Sequence, residues 1–387
     1  MNFVFILILV SVQYYGLSSN KPKIVCYWLD HYMEAGGDDR HTPENIDPTL
    51  CTHLHVLDDM NTVLRTGSGK LAPDVYQRLS NLKRKNPELK IIASFGDNPG
   101  VAFSQMVSEP GSRREFTTKT IEYLHKYKWD GLDLDWEFPV CWGGDCSKGP
   151  KADKPNFANL LKELRVAFDK ENPKLSLSVA MPSAYPGGPA DQGYDMSVMA
   201  SALDYMSVMT YDLAGPEDGK TGHHSRYQSC IRGTQYYVTK GMPKDKVLMG
   251  VPFYGRTFKL RDRDQHGMGA PISGAGQTPH GEGNVAFYRE MCDLVKNKGW
   301  AKEDTNNGYD PIAYHDLLWV GYDDPYAAYD KSKWVVDNGY GGIIVWQIIQ
   351  DDFGAKCCHV SYPMLRAINH GLYGSGDGPD KYGCEHK

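Results

Sequence analysis

The chain carries little net charge for its length. Across 387 residues, 42 Lys and Arg stand against 48 Asp and Glu, leaving −6 at pH 7 with no long run of either sign. A basic face for nucleic acid or anionic lipid is thereby excluded, so neither a nucleic-acid nor a membrane partner is expected. Beyond the first residues no apolar stretch approaches the roughly 20 positions that a spanning helix needs. There is no Asn-x-Ser/Thr sequon, no internal repeat and no C-x-x-C pair, and His223 and His224 are adjacent rather than a helical turn apart. Those last two points exclude the usual zinc patterns; no metal and no cofactor is expected.

What is present at the start is an apolar run, Met1–Val10, followed by the small residues Ser18 and Ser19. It predicts a secretory signal over residues 1–19, although no Lys or Arg precedes the apolar segment. Nine cysteines fit an oxidising compartment and disulfides, and an odd number leaves at least one over. Cys141 and Cys146 are close enough in sequence to close a short loop on themselves.

The most informative stretch is Asp130-Gly-Leu-Asp133-Leu-Asp135-Trp136-Glu137. In a strand, side chains two apart share a face, so Asp133, Asp135 and Glu137 line one side and Leu132, Leu134 and Trp136 the other. Carboxylates in a buried row repel one another, which raises the pKa of some and suits the outermost, Glu137, to act as a general acid near neutrality. The plain alternative is a solvated acidic strand end. The apolar residues that alternate with the acids weigh against it. A calcium loop is excluded because Leu and Trp occupy ligand-spacing positions.

Short β-rich runs recur at 24–28, 52–57, 91–95, 131–136, 175–180, 205–209, 247–251 and 343–346, separated in several places by helical patterns at 72–85, 112–126 and 156–169. Eight such units predict an α/β fold, a (β/α)8 TIM barrel of parallel strands. About ninety residues separate the seventh run from the eighth, more than one helix and two loops require. The expected organisation is a barrel from 22–256 and 319–372, an inserted α+β domain at 257–318 with a helix over 285–296, a barrel helix over 326–336, and a loose tail at 373–387.

Asp130 to Pro139 resembles the D-x-x-D-x-D-x-E signature of glycoside hydrolase family 18 chitinases. Further blocks agree in order: Cys26-Tyr27-Trp28, Met209-Thr210-Tyr211-Asp212, Gly222 to Ser225, Gly250 to Arg256, Trp319 to Asp324, and Gly341 to Trp346. The resemblance implies a chitinase insertion domain and a secreted, monomeric enzyme acting on chitin or chito-oligosaccharides. It implies that Glu137 protonates the glycosidic oxygen while the substrate's own acetamido group attacks, with retention of configuration. Asp135 then holds the acetamido N–H, Asp133 shares a proton behind it, and Tyr211 donates to the acetamido carbonyl, making these four the catalytic candidates. Met209, Asp212 and Arg256 contact the sugar, and Trp346 forms an apolar floor under it. Tyr27, Trp136 and Tyr254 are added as sugar contacts, with Trp28 and Tyr322 extending the floor; Asp130 is structural. Without the resemblance, Tyr and Met at strand ends read as core, a loop Arg as solvated, and Trp346 as barrel packing. Trp300 and Trp334 sit in helical patterns and read as packing residues. The resemblance also pairs Cys26 with Cys51 and Cys292 with Cys357 or Cys358, leaving Cys230 and Cys384 to join each other or remain free.

Two departures bear on activity. Where the family has Ser-x-Gly-Gly-Trp, this chain reads Ser94-Phe-Gly-Asp97-Asn98, without the aromatic of a leaving-group subsite. Where the family has aromatic-Ala-Phe, His55-Val-Leu-Asp58 brings a carboxylate. Asp58 and Asp97 are expected to face Asp133 and Glu137, raising the pKa of the acid and weakening binding. A chitinase-like lectin with little or no turnover is therefore the second reading, and an endo-N-acetylglucosaminidase acting on protein-linked glycans is a third.

Overall fold

Eight parallel strands close on themselves in the computed structural model, which describes residues 21–384. The leader expected over residues 1–19 lies outside the described residues, and so does the side chain of Asp97. The barrel strands are β1 (Lys23–Trp28), β2 (His53–Asp58), β3 (Lys90–Asp97), β4 (Gly131–Trp136), β5 (Ser176–Pro182), β6 (Tyr205–Met209), β7 (Val247–Pro252) and β14 (Gly342–Trp346). β14 pairs with both β7 and β1, which closes the ring. With helices around it, this is a (β/α)8 TIM barrel. Each strand falls within about two residues of its apolar run, because a strand covered on both faces must be apolar almost throughout.

The side chains of each strand alternate between the barrel interior and the surrounding helices. Leu132, Leu134 and Trp136 of β4 point outward and are fully buried. Trp136 stacks on Phe103 at 5.5 Å and meets Phe157 edge-on at 5.4 Å. The helix Pro110–Tyr127 starts with proline at its first turn, where the missing N–H leaves no bond unmade, and packs Phe116 and Tyr123 against Phe95 of β3. Asp153–Phe168 begins three residues before the expected helix. The expected 72–85 helix is Pro73–Ser80 followed by a 3-10 turn, Asn81–Arg84.

Between β7 and β14 lies a second, antiparallel sheet of β8 (Tyr254–Leu260), β9 (Ile272–Ala275), β10 (Val285–Phe287), β11 (Ala301–Thr305), β12 (Asp310–His315) and β13 (Leu318–Gly321). β8 starts two residues after β7 ends, so Tyr254 and Arg256, expected in the barrel, belong to this sheet. β13 likewise carries Leu318–Gly321 across the expected boundary. The helix expected from Val285 starts at Tyr288 instead; Val285–Phe287 pair with Arg256–Tyr254 as a strand. Val and Phe are apolar and strand-favouring, and the edge of β8 gives them backbone partners.

Four disulfides staple the chain: Cys26–Cys51, Cys141–Cys146, Cys292–Cys357 and Cys358–Cys384. Cys384 thus joins Cys358 and not Cys230, which is buried and free. Its thiol donates instead to the Thr210 carbonyl at 3.0 Å. The stretch expected to be loose after residue 372 is held by that last disulfide and by Tyr382, which is buried and bonded to Asp377.

Candidate active site

The C-terminal ends of the barrel strands bring the acidic row to one rim. Asp133 lies deepest. Its Oδ2 accepts from Tyr27 Oη at 2.8 Å and Ser94 Oγ at 2.9 Å, and its Oδ1 from Ser178 Oγ at 2.7 Å. Burial pushes its pKa up, but His55 and these donors outweigh that, and the net displacement is downward. Asp135, next along the same face, is buried with Oδ1 unpartnered among the described residues. Burial, then repulsion from Glu137 and Asp133, raise its pKa well above the carboxylate range. Glu137 follows, half-buried at the strand end; burial and the charge of Asp212 bring its pKa up to about 7. A row in which the inner acid is ionised and the outer two hold protons is suited to proton donation near neutral pH.

Asp212 faces the row from the loop after β6. It is a non-glycine residue with φ at 58°. Its Oδ1 accepts from Tyr254 Oη at 2.8 Å and Arg256 Nε at 2.7 Å, both from β8. His224 Nδ1 accepts the Asp212 backbone N–H at 3.2 Å and its Nε2 donates to the Tyr254 carbonyl at 3.0 Å. Although burial opposes it, His224, Arg256 and Tyr254 hold Asp212 at a pKa of about 2. Tyr211, beside it, is nearly buried, and burial together with the charges of Asp135, Asp212 and Glu137 keeps its phenol protonated far above the usual range. Met209 is half-buried at the end of β6.

A cavity of about 530 Å³ opens over this rim, lined by Leu57, Gly96, Asn98, Asp135, Glu137 and Trp346 among others. Asn98 Nδ2 stands 3.5 Å from Glu137 Oε2. Thus an amide occupies the mouth where an aromatic ring is missing. Trp346 is half-buried, with its ring 5.4 Å from that of Tyr27.

Several expectations are corrected. Trp136 is completely enclosed on the outer face of β4, because strand alternation that brings Asp135 and Glu137 inward sends Trp136 into the helical layer. It does not line the cavity. Tyr27 points inward, but its hydroxyl is engaged by Asp133, so it supports the row from below. Trp28 is turned outward and hydrogen-bonds His41 at 3.2 Å, and Tyr322 is fully buried; neither extends a floor. Asp58 lies at the edge of that cavity, but its carboxylate is turned away from the acids. It points outward, accepting from Tyr76 Oη at 2.5 Å, Tyr123 Oη at 2.7 Å and the backbone N–H groups of Asp59 and Lys70. Asp130, at the opposite end of β4, accepts from the Ile91 backbone N–H and from Lys83, as a structural anchor does. Ser94, Ser178 and Asn284 support the row and Arg256 without any signal in the sequence, because single hydroxyls and amides carry no spacing pattern. His224 lay within a matched block whose second histidine had no assigned task.

The model for glycosyl hydrolases family 18 matches residues 23–351. Probable chitinase 10 of Drosophila melanogaster is 33% identical over 372 residues, which is 90% of this chain and only 16% of that much longer protein. Among solved structures, catalytic domain 2 of the group II chitinase of Ostrinia furnacalis superposes with a TM-score of 0.85 at 32% identity, covering 92% of this chain and 98% of that one. Human YKL-39, described as a pseudo-chitinase with retained chitooligosaccharide binding, superposes at 0.81 with 30% identity, covering 92% of this chain and all of that one. Barrel, acidic row and sequence agree, and the chain belongs to glycosyl hydrolases family 18.

Proposed function

We propose that the protein is a secreted chitinase that cleaves β-1,4-linked N-acetylglucosamine polymers or oligomers with retention. The observation that carries this reading is the intact acidic row at the rim of the barrel, with Asp135 buried between Asp133 and Glu137 and with burial and Asp212 bringing the Glu137 pKa up to about 7. Glu137 gives its proton to the glycosidic oxygen as the bond to the anomeric carbon breaks. The carbonyl oxygen of the sugar's acetamido group bonds to that carbon, forming an oxazolinium ion, and the Glu137 carboxylate then takes a proton from the water that reopens it. Asp135 accepts the acetamido N–H through its carbonyl oxygen, the ionised Asp133 behind it offsets the positive charge, Tyr211 orients the acetamido carbonyl, and Asp212, held by Arg256, meets the same sugar. Met209 packs beside that sugar and Trp346 underlies its ring. Four disulfides support an extracellular setting. A monomer in solution is part of the same reading.

A second reading has one observation in its favour: the cavity mouth holds Asn98 in place of an aromatic platform, which weakens the hold on a leaving group. Binding of chito-oligosaccharides with little turnover is that alternative. Hydrolysis of fluorogenic chitobiose and chitotriose glycosides between about pH 3 and pH 9, beside Glu137→Gln, separates the two. Turnover that disappears in the variant supports the enzyme. Oligosaccharide binding without turnover in the native chain supports the lectin.

A further inference from the structure

His55 sits beneath the acidic row and has no task in the reaction as written. It is fully buried, its Nδ1 is 3.3 Å from Asp133 Oδ2, and its Nε2 is 2.7 Å from Tyr205 Oη. Three other strands meet around it: Tyr27 of β1 with its ring 4.7 Å away, Asp133 of β4 and Tyr205 of β6, whose ring also meets that of His53 at 5.2 Å. Lys23 Nζ stands 5.7 Å from the centroid of the Tyr205 ring.

Asp133 already accepts three hydroxyl hydrogen bonds, from Tyr27, Ser94 and Ser178. A carboxylate has room for about four donors and, once protonated, must itself find an acceptor. The three hydroxyls around Asp133 already turn their protons towards it, so a protonated Asp133 would require one of them to rotate and accept instead. His55 Nδ1 makes no well-aligned hydrogen bond but stands at ion-pair distance, 3.3 Å, from Asp133 Oδ2, and His55 alone among the four can bring positive charge. An unprotonated Nδ1 would turn its lone pair towards the carboxylate. The proton therefore sits on Nδ1, and Nε2 accepts from the Tyr205 hydroxyl.

We propose that His55 is a positioning residue for the acidic row: its Nδ1–H holds Asp133 ionised from below, so that the proton of the inner pair resides on Asp135. This inference rests on the reading of the row as a proton donor system. An ionised Asp133 repels charge from the next carboxyl, which keeps Asp135 neutral beside Glu137. Without His55 the proton settles on Asp133, and Asp135 ionises next to the acid it should support.

The test is the pH profile of kcat/KM for the native chain, His55→Leu and His55→Asn on a fluorogenic chitobioside. Loss of the Nδ1–H donor raises the pKa of Asp133, so the acid limb moves upward in the Leu variant, by about one pH unit, with kcat/KM reduced up to about tenfold on the acid side of the limb, little change at about pH 6, and KM within about twofold. Asn, whose amide N–H takes the place of Nδ1–H, keeps the limb near its native position. An unmoved acid limb in His55→Leu, with the native chain active, overturns the proposal and leaves the enzyme reading standing. Nitrogen-15 NMR of the native imidazole is independent of turnover and of whether the Leu variant folds. An Nδ1-protonated His55 supports the proposal even where no hydrolysis is found, and an Nε2-protonated tautomer overturns it even in an active enzyme.

Discussion

Arg256 of β8 donates through Nε to Oδ1 of Asp212 at 2.7 Å, and its Nη2 lies equally close to the same oxygen. Through this pair the second sheet is tied to the barrel rim, since Arg256 is also anchored by Asn284 at 2.9 Å. Arg256→Ala is expected to lower kcat/KM on chito-oligosaccharides by about tenfold or more, the scale of one lost charge-assisted bond. Arg256→Lys should recover only part of that, because an ammonium cannot present two N–H groups in a fixed fork. Full activity in Arg256→Ala would mean that the pair is purely structural.

Glu137 sets the basic limb. Its acid form is the active one, so kcat/KM should fall about tenfold per pH unit above about 7. Asp212→Asn removes a negative neighbour, lowers the Glu137 pKa and should move that limb to lower pH. Stability carries the same signature. The folded pKa of about 7 lies above the ordinary 4.5, so the contribution of Glu137 is intact below about 4.5 and declines as pH rises through 7. Glu137→Gln should therefore melt higher than the native chain above pH 7 and match it at low pH, as read by calorimetry.

Trp136 packs between Phe103 and Phe157 and touches no part of the cavity. Its replacement by Ala opens a large void and should cost about 3–5 kcal/mol of stability in urea unfolding. Affinity of the folded variant for chitotriose, measured by titration calorimetry, should remain native. A selective loss of affinity would return Trp136 to the sugar site.

Asp58 serves two tyrosines and two backbone amides. Asp58→Ala leaves those donors buried and unpaired and is expected to destabilise the fold by about 2–4 kcal/mol. Because the carboxylate faces the helices, the pH profile of the surviving activity should not move. A shifted basic limb would show that its charge reaches Glu137.

Alternation and apolar runs in the sequence were sufficient for the eight barrel strands, since a strand buried on both faces admits little else. The same period of two placed Asp133, Asp135 and Glu137 on one face. The D-x-x-D-x-D-x-E block and its companions pointed to the family. Tertiary structure decided which layer each face meets. A period of two does not distinguish the barrel interior from the helical shell, so Trp28 and Asp58, expected inward, lie outside; Trp136, expected to touch sugar, lies in the shell as its alternation with the acids requires. It also decided partners remote in sequence: His55 with Asp133 and Tyr205, Arg256 with Asp212, and Cys384 with Cys358. Such contacts join positions 26 to 150 residues apart in sequence, and no local pattern encodes that distance.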